Sequence, residues 1–200
     1  MNDHNVMRVL SALPELEKAE KLVKLEKYAS AISVLDNLNI LPYEHAGEGR
    51  ELYTSAYFGL AMKKIISSNY KEALLILNKS KIWPENLGVG KPYNPDERIQ
   101  DYLIFHCMDK LNDPSSKNYL SNIIDYTEKN ISSVSSNHIL GYEAIKIIQG
   151  EKSSENFIKN LVSIHKIDSE EMKFIIDFKT NNLSKDYKKF DLLHKVLLLK

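Results

Sequence analysis

The feature that most constrains this chain is an internal duplication. Residues 26–44, "EKYASAISVLDNLNILPYE", align without a gap on residues 68–86, "SNYKEALLILNKSKIWPEN", at an offset of 42 residues. Tyr28 meets Tyr70, Ala31 meets Ala73, Leu35 meets Leu77, Ile40 meets Ile82 and Pro42 meets Pro84. Five identities in nineteen positions compare with about one expected from ordinary composition. Ala19 and Ala61 each stand twelve residues before the repeated alanine. In each copy the apolar residues recur at helical spacing: Tyr28, Ala31, Ile32, Leu35, Leu38 and Ile40 in the first, Tyr70, Ala73, Leu74, Leu77 and Ile82 in the second. The repeated unit is therefore a pair of helices, with alanine where the two must approach closely.

The remainder reads as further helix pairs. In "NPDERIQDYLIFHCMDKL" Asn94 is placed to cap a helix, with Pro95 at its first position and Glu97 three residues after the cap. Asp113-Pro114 opens the next helix through "NYLSNIIDYTEK", and "SSVSS" reads as a joint. "NHILGYEAIKIIQG" and "SENFIKNLVSIH" form a fourth pair. Asp168 and Glu171 make another capping box ahead of "EEMKFIIDFK", and the last helix lies in "KDYKKFDLLHKVLLLK", whose apolar tail is expected to cap the end of the stack. The expected fold is all-α, a superhelical solenoid of about five antiparallel helix pairs forming one domain over 1–200, with clear repeats over 1–111 and more divergent pairs over 112–200.

The repeated unit resembles a tetratricopeptide repeat: Tyr-x-x-Ala opens the second helix, a large apolar residue follows four positions later, and proline comes after the helix ends. The period of such repeats is about 34 residues; here it is 42, with the surplus in the connection "PYEHAGEG". The large aromatic residue of the first helix corresponds to Tyr57 in the second copy and has no counterpart in the first. "LPYEHAGEGRELY" (41–53) followed by "WPENLGVGKPYNPDERIQDYL" (83–103) is similar to the C-terminal helical-repeat region of a group of large bacterial proteins that carry an N-terminal domain of unassigned function. The resemblance covers about residues 15–111, with His45 where a small residue is expected. It implies bacterial origin, a module belonging to a larger protein, and no catalytic residues to carry over.

Several chemistries are set aside on the residues alone. Lysine plus arginine equals aspartate plus glutamate at 27 each, so no overall field draws nucleic acid or an anionic membrane. The N-terminus lacks a charged region followed by a long apolar run, so no leader or membrane span is expected. The single Cys107 permits neither an internal disulfide nor a cysteine-based zinc site, which fits a reducing, cytoplasmic location. "GVGK" at 88–91 fails as a phosphate loop: one residue separates its glycines where four are needed, and Pro92 follows the lysine. The histidines at 4, 45, 106, 138, 165 and 194 show no helical ligand spacing, so no metal is expected. In "LIFHCMDKL" Cys107 is expected inside and His106 outside. Tyr53 and Tyr57 lie one turn apart, read first as core.

Arginine is more telling. Lysine supplies 24 of the 27 basic residues, yet Arg50 and Arg98 occupy matching places, each after a Gly- or Pro-rich joint. A planar five-donor fork does what lysine cannot. Either each guanidinium ties down its joint, through loop carbonyls or a carboxylate such as Glu44 or Glu85, or the pair binds an anionic partner. The function expected is non-catalytic protein–protein or interdomain binding on a concave surface, without cofactor, metal, nucleic acid or membrane. The alternative is a ligand- or carbohydrate-related site at the joints, using Arg50, Tyr53, Trp83, Glu85, Asn86, Lys91 and Arg98. A peptide-sensing regulator is a third reading, for which no effector motif is visible.

Overall fold

A computed structural model of the chain describes residues 3–40, 46–182 and 188–199. Over these residues the protein is all-helical, with ten α-helices and no strand. The chain divides into two compact units, Met1–Pro95 and Asp96–Lys200.

The first unit holds α1 (Asp3–Lys24), α2 (Tyr28–Asp36), α3 (Ala46–Ile66) and α4 (Tyr70–Ser80). The duplication is written into its backbone. Glu26 and Ser68, 42 residues apart, both adopt the left-handed conformation, with φ of 55° and 58°. Around each, the same pair of hydrogen bonds closes the first helix: Glu26 N to Val23 O with Lys27 N to Leu22 O, and Ser68 N to Ile65 O with Asn69 N to Lys64 O. This is a Schellman closure, and it turns the chain back within three residues. Each second helix thereby folds against its first.

The alanines do what their smallness allows. Ala19, Ala31, Ala61 and Ala73 are all fully buried where the paired helices meet. Leu35, Leu38, Leu77 and Ile76 fill the core beside them. Ile82, assigned to the buried stripe by its spacing, is instead largely exposed, because α4 ends at Ser80 and the helical period no longer applies. The Tyr28 ring lies against Gly59 of α3, with Lys63 Nζ 4.9 Å from its centroid. Of the long connection after the first copy, residues 41–45 lie outside the described residues; Ala46–Gly49 already belong to α3.

The second unit contains α5 (Arg98–Lys110), α6 (Lys117–Lys129), α7 (His138–Gln149), α8 (Glu151–His165), α9 (Glu170–Lys179) and α10 (Asp191–Leu197). α5 with α6 and α7 with α8 are again hairpins, and α6 packs on α7. α7 approaches α6 so closely that a Cβ on Gly141 would stand 2.5 Å from Thr127 Cγ2. α10 packs on α5, the first helix of its own unit, and Phe190 just ahead of it meets Phe174 of α9 at 4.8 Å. In an open stack each repeat touches only its neighbours; this return from the last helix to the first is a different closure. The apolar tail therefore works inside the unit, burying Leu193, Val196 and Leu197.

Two helix starts differ from the sequence expectation. α5 begins at Arg98, not at Pro95. The reason is local: the Asp96 carboxylate accepts the Arg98 backbone N–H at 3.2 Å, taking the capping role given to Asn94 and forming an Asx-type turn. At α9 the cap is Ser169, not Asp168, its hydroxyl accepting from Met172 N at 3.1 Å. Asp113 does open its turn, accepting from Ser115 N at 2.9 Å ahead of Pro114.

Candidate functional site

The residues singled out at the joints separate into two places. In the first unit Arg50, on α3, is buried and donates from Nη2 to the carbonyl of Ser80, the last residue of α4, at 2.8 Å. Its guanidinium carbon lies 4.4 Å from the Trp83 ring centroid and 5.3 Å from that of Tyr53. A cation at the carboxyl end of a helix, stacked on aromatic faces, is favoured twice over, by the helix dipole and by the ring quadrupoles. Tyr53 donates to Lys79 O at 3.3 Å and packs on Tyr57 at 4.5 Å. Burial and its contact with Tyr57 hold the Tyr53 hydroxyl protonated well above the ordinary tyrosine range. Trp83 is half-buried, and its Nε1 is buried with no hydrogen-bond partner among the described residues. Glu44, the proposed carboxylate partner of Arg50, lies outside the described residues.

Asn86 sits in a short 3₁₀ turn, Glu85–Leu87, held by the buried Leu87. Its side-chain Nδ2 donates to Leu35 O at 3.0 Å and to Leu38 O at 2.8 Å, and its backbone carbonyl accepts from Ile40 N at 2.7 Å. These carbonyls lie in the last turn of α2 and just beyond it, so Asn86 clamps one copy of the repeat to the other. Glu85 and Lys91 are exposed on the same connection. Gly88 takes a φ of 72°, closing the turn.

Arg98 belongs to the second unit and enters a denser cluster. It is 2% exposed and every one of its five N–H donors is engaged. Nε donates to Asp96 Oδ1 at 2.9 Å and Nη2 to Asp96 Oδ2 at 2.7 Å, a bidentate pair. Nη2 also donates to Ser135 Oγ at 3.2 Å, while Nη1 donates to Thr127 Oγ1 at 3.2 Å and to His138 Nδ1 at 3.0 Å. The Tyr126 ring lies 5.0 Å away. Burial alone would push the Asp96 carboxyl up; the bonds and charge of Arg98, with Asn137, hold it below its ordinary 3.8. One guanidinium thus joins the start of α5, the end of α6, the 131–137 joint and the start of α7.

A third place escaped the sequence reading. Between α1 and α3 lies a groove of about 490 Å³, lined by Leu16, Glu17, Glu20, Glu48, Glu51 and Leu52, with Ser55. Its floor is leucine and its rim is acidic. Glu20 is paired with Lys24 at 2.7 Å, and Glu17, Glu20, Glu48 and Glu51 are all exposed.

The chain matches no family model, no curated protein and no solved structure.

No group of three or more His, Cys, Asp or Glu able to hold a metal ion occurs among the described residues. No described helix is long and apolar enough to cross a membrane. Cys107 is fully buried and burial pushes its thiol up to about 12, which leaves it protonated and unreactive. Its neighbour His106 is buried too, against the expectation of a surface position, because α5 is enclosed on most of its circumference. The groove had a legible trace in the i, i+3 acid pairs Glu17/Glu20 and Glu48/Glu51 on the two first helices. His138 had none, since its partners are brought to it only by the packing of four segments.

Proposed function

We propose that the chain is a non-catalytic binding module, a tetratricopeptide-like scaffold that holds a segment of another protein, or of a neighbouring domain, in the groove between α1 and α3. The observation that carries this reading is the groove itself: a leucine floor, about 490 Å³ of space and an acidic rim, all on the first helices of the two repeats. First helices are the ones that line the concave face when such pairs stack as a solenoid, and the 42-residue duplication supports that arrangement for the first unit. A leucine floor takes an apolar anchor, and the rim favours a segment carrying lysine or arginine beside it. The joints carry tying contacts through Arg50, Asn86 and Arg98, which leaves the groove as the better docking place.

The test uses the full chain and three fifteen-residue peptides of one apolar pattern, with net charge +4, 0 and −4, in a titration calorimeter and by backbone amide shifts. The expected result is binding of the cationic peptide alone, weakened by salt, with shifts centred on 16–20 and 48–55. Binding indifferent to charge, shifts centred elsewhere, or no binding by any of the three would overturn the reading.

A further inference from the structure

His138 stands at the centre of the second unit's polar cluster, 0% exposed, with both ring nitrogens committed. Nδ1 is 3.0 Å from Arg98 Nη1, and Nε2 is 2.7 Å from Ser133 O. A guanidinium has no acceptor and a carbonyl has no proton. Nδ1 must therefore accept and Nε2 must carry the ring's one hydrogen, so a single neutral tautomer satisfies the site. We propose that His138 is a proton-operated latch: a proton added at Nδ1 sets donor against donor, breaks the bond to Arg98, and releases the 131–137 joint from the start of α5.

The joint depends on this cluster. Arg98 holds Ser135, Asp96 accepts from Asn137 Nδ2 at 3.0 Å, and His138 holds the Ser133 carbonyl. From α8, His165 donates from Nε2 to Ile131 O at 2.6 Å, and its ring lies nearly parallel to that of His138 with centroids 6.4 Å apart. The charged and titratable groups facing His138 are Arg98 from α5, Asp96 ahead of it and His165 from α8; α6 presents the uncharged Thr127. Asp96 is the one anion among these, and both its oxygens already serve Arg98 or Asn137. Burial, then Arg98 and His165, act against a charged ring, outweighing Ser133 and Asp96, so His138 titrates below its ordinary 6.5.

The sign follows. The folded chain takes up this proton less readily than the unfolded chain, so the contribution to stability is complete above about 6.5 and is lost as pH falls through the lower folded value. His106 on α5 is depressed in the same direction, by burial and Lys110 against Asp109. It supplies the control.

The experiment follows the full chain between pH 7.5 and 5.0 by side-chain nitrogen NMR of the histidines and by amide exchange, corrected for intrinsic rate. His138 is expected to stay neutral, with its hydrogen on Nε2, through pH 6.5. Below that the amides of 133–138 are expected to lose protection ahead of the rest of the unit, and the unfolding constant to rise by up to about tenfold per pH unit for this one proton. His138→Asn, which keeps an acceptor near the Nδ1 position, is expected to remove this local response; His106→Asn is expected to leave it in place. A His138 ring that titrates at or above 6.5, or a joint whose protection is unchanged once the ring is charged, would overturn the proposal, and both are read on the unmodified protein.

Discussion

Arg98→Lys is the sharpest perturbation the structure offers. The substitution keeps the positive charge and close to the same reach, so a site that needs only a cation would tolerate it. The cluster needs five donors in a plane: two for Asp96, one each for Ser135, Thr127 and His138. An ammonium has three, so at least two of these five bonds are lost. Each lost bond to a charged group costs about 1.5–3 kcal/mol and each neutral one about 0.5–1.5 kcal/mol. The hydroxyls of Ser135 and Thr127 can rotate toward other acceptors, but His138 Nδ1 is sealed in. The expected loss is about 2–4 kcal/mol, a shift of about 1–2 M in the urea midpoint for a slope of about 2 kcal/mol per molar. Arg98→Met is expected to cost more, about 3–5 kcal/mol, because it leaves Asp96, with 29% of its side chain exposed, without its cation. Far-UV circular dichroism follows the helices of both units, while Trp83 fluorescence reports the first unit alone. An Arg98→Lys midpoint equal to that of the parent chain would refute the claim that guanidinium geometry, not charge, closes this joint.

Two further substitutions probe the packing. Gly141→Ala drives a methyl to within 2.5 Å of Thr127 Cγ2; overpacking of about 1–3 kcal/mol, offset by about 1 kcal/mol of helix propensity, predicts a net loss that Thr127→Ser relieves in part, measured by urea unfolding of the single and double variants. Asn86→Ala strips the donor from Leu35 O and Leu38 O and is expected to cost about 1–3 kcal/mol in the transition reported by Trp83, without changing peptide affinity.

The sequence made the hairpins legible because their determinants are local. Alanines twelve residues apart, a tyrosine opening each second helix and a three-residue reversal all lie within one 42-residue unit, and the backbone repeats them down to the left-handed Glu26 and Ser68. What it hid depends on long-range assembly. The pattern of "LLHKVLLLK" announces an apolar face but not that α10 lies on α5. Asn94 and Asp96 are both competent caps, and the choice between them is made by Arg98, whose side chain draws the Asp96 carboxylate to its own N–H. His138 and His165 look scattered in sequence and meet only when α7 and α8 fold together. Arg50 and Arg98 stood out in the sequence as arginines at matching places in a lysine-rich chain; the stacking of Arg50 on Trp83 had no such sign.

The most direct test of the binding account is the affinity of the +4 peptide for a chain in which Glu17, Glu20, Glu48 and Glu51 are all changed to glutamine, which keeps the groove's shape and removes its charge. With each of four exposed pairs contributing about 0.2–1 kcal/mol, the account predicts affinity lower by roughly fourfold to several hundredfold and a flattened dependence on salt, with the unfolding free energy moved by less than about 1 kcal/mol through loss of the Glu20–Lys24 pair. Affinity and salt dependence equal to those of the parent chain would contradict it.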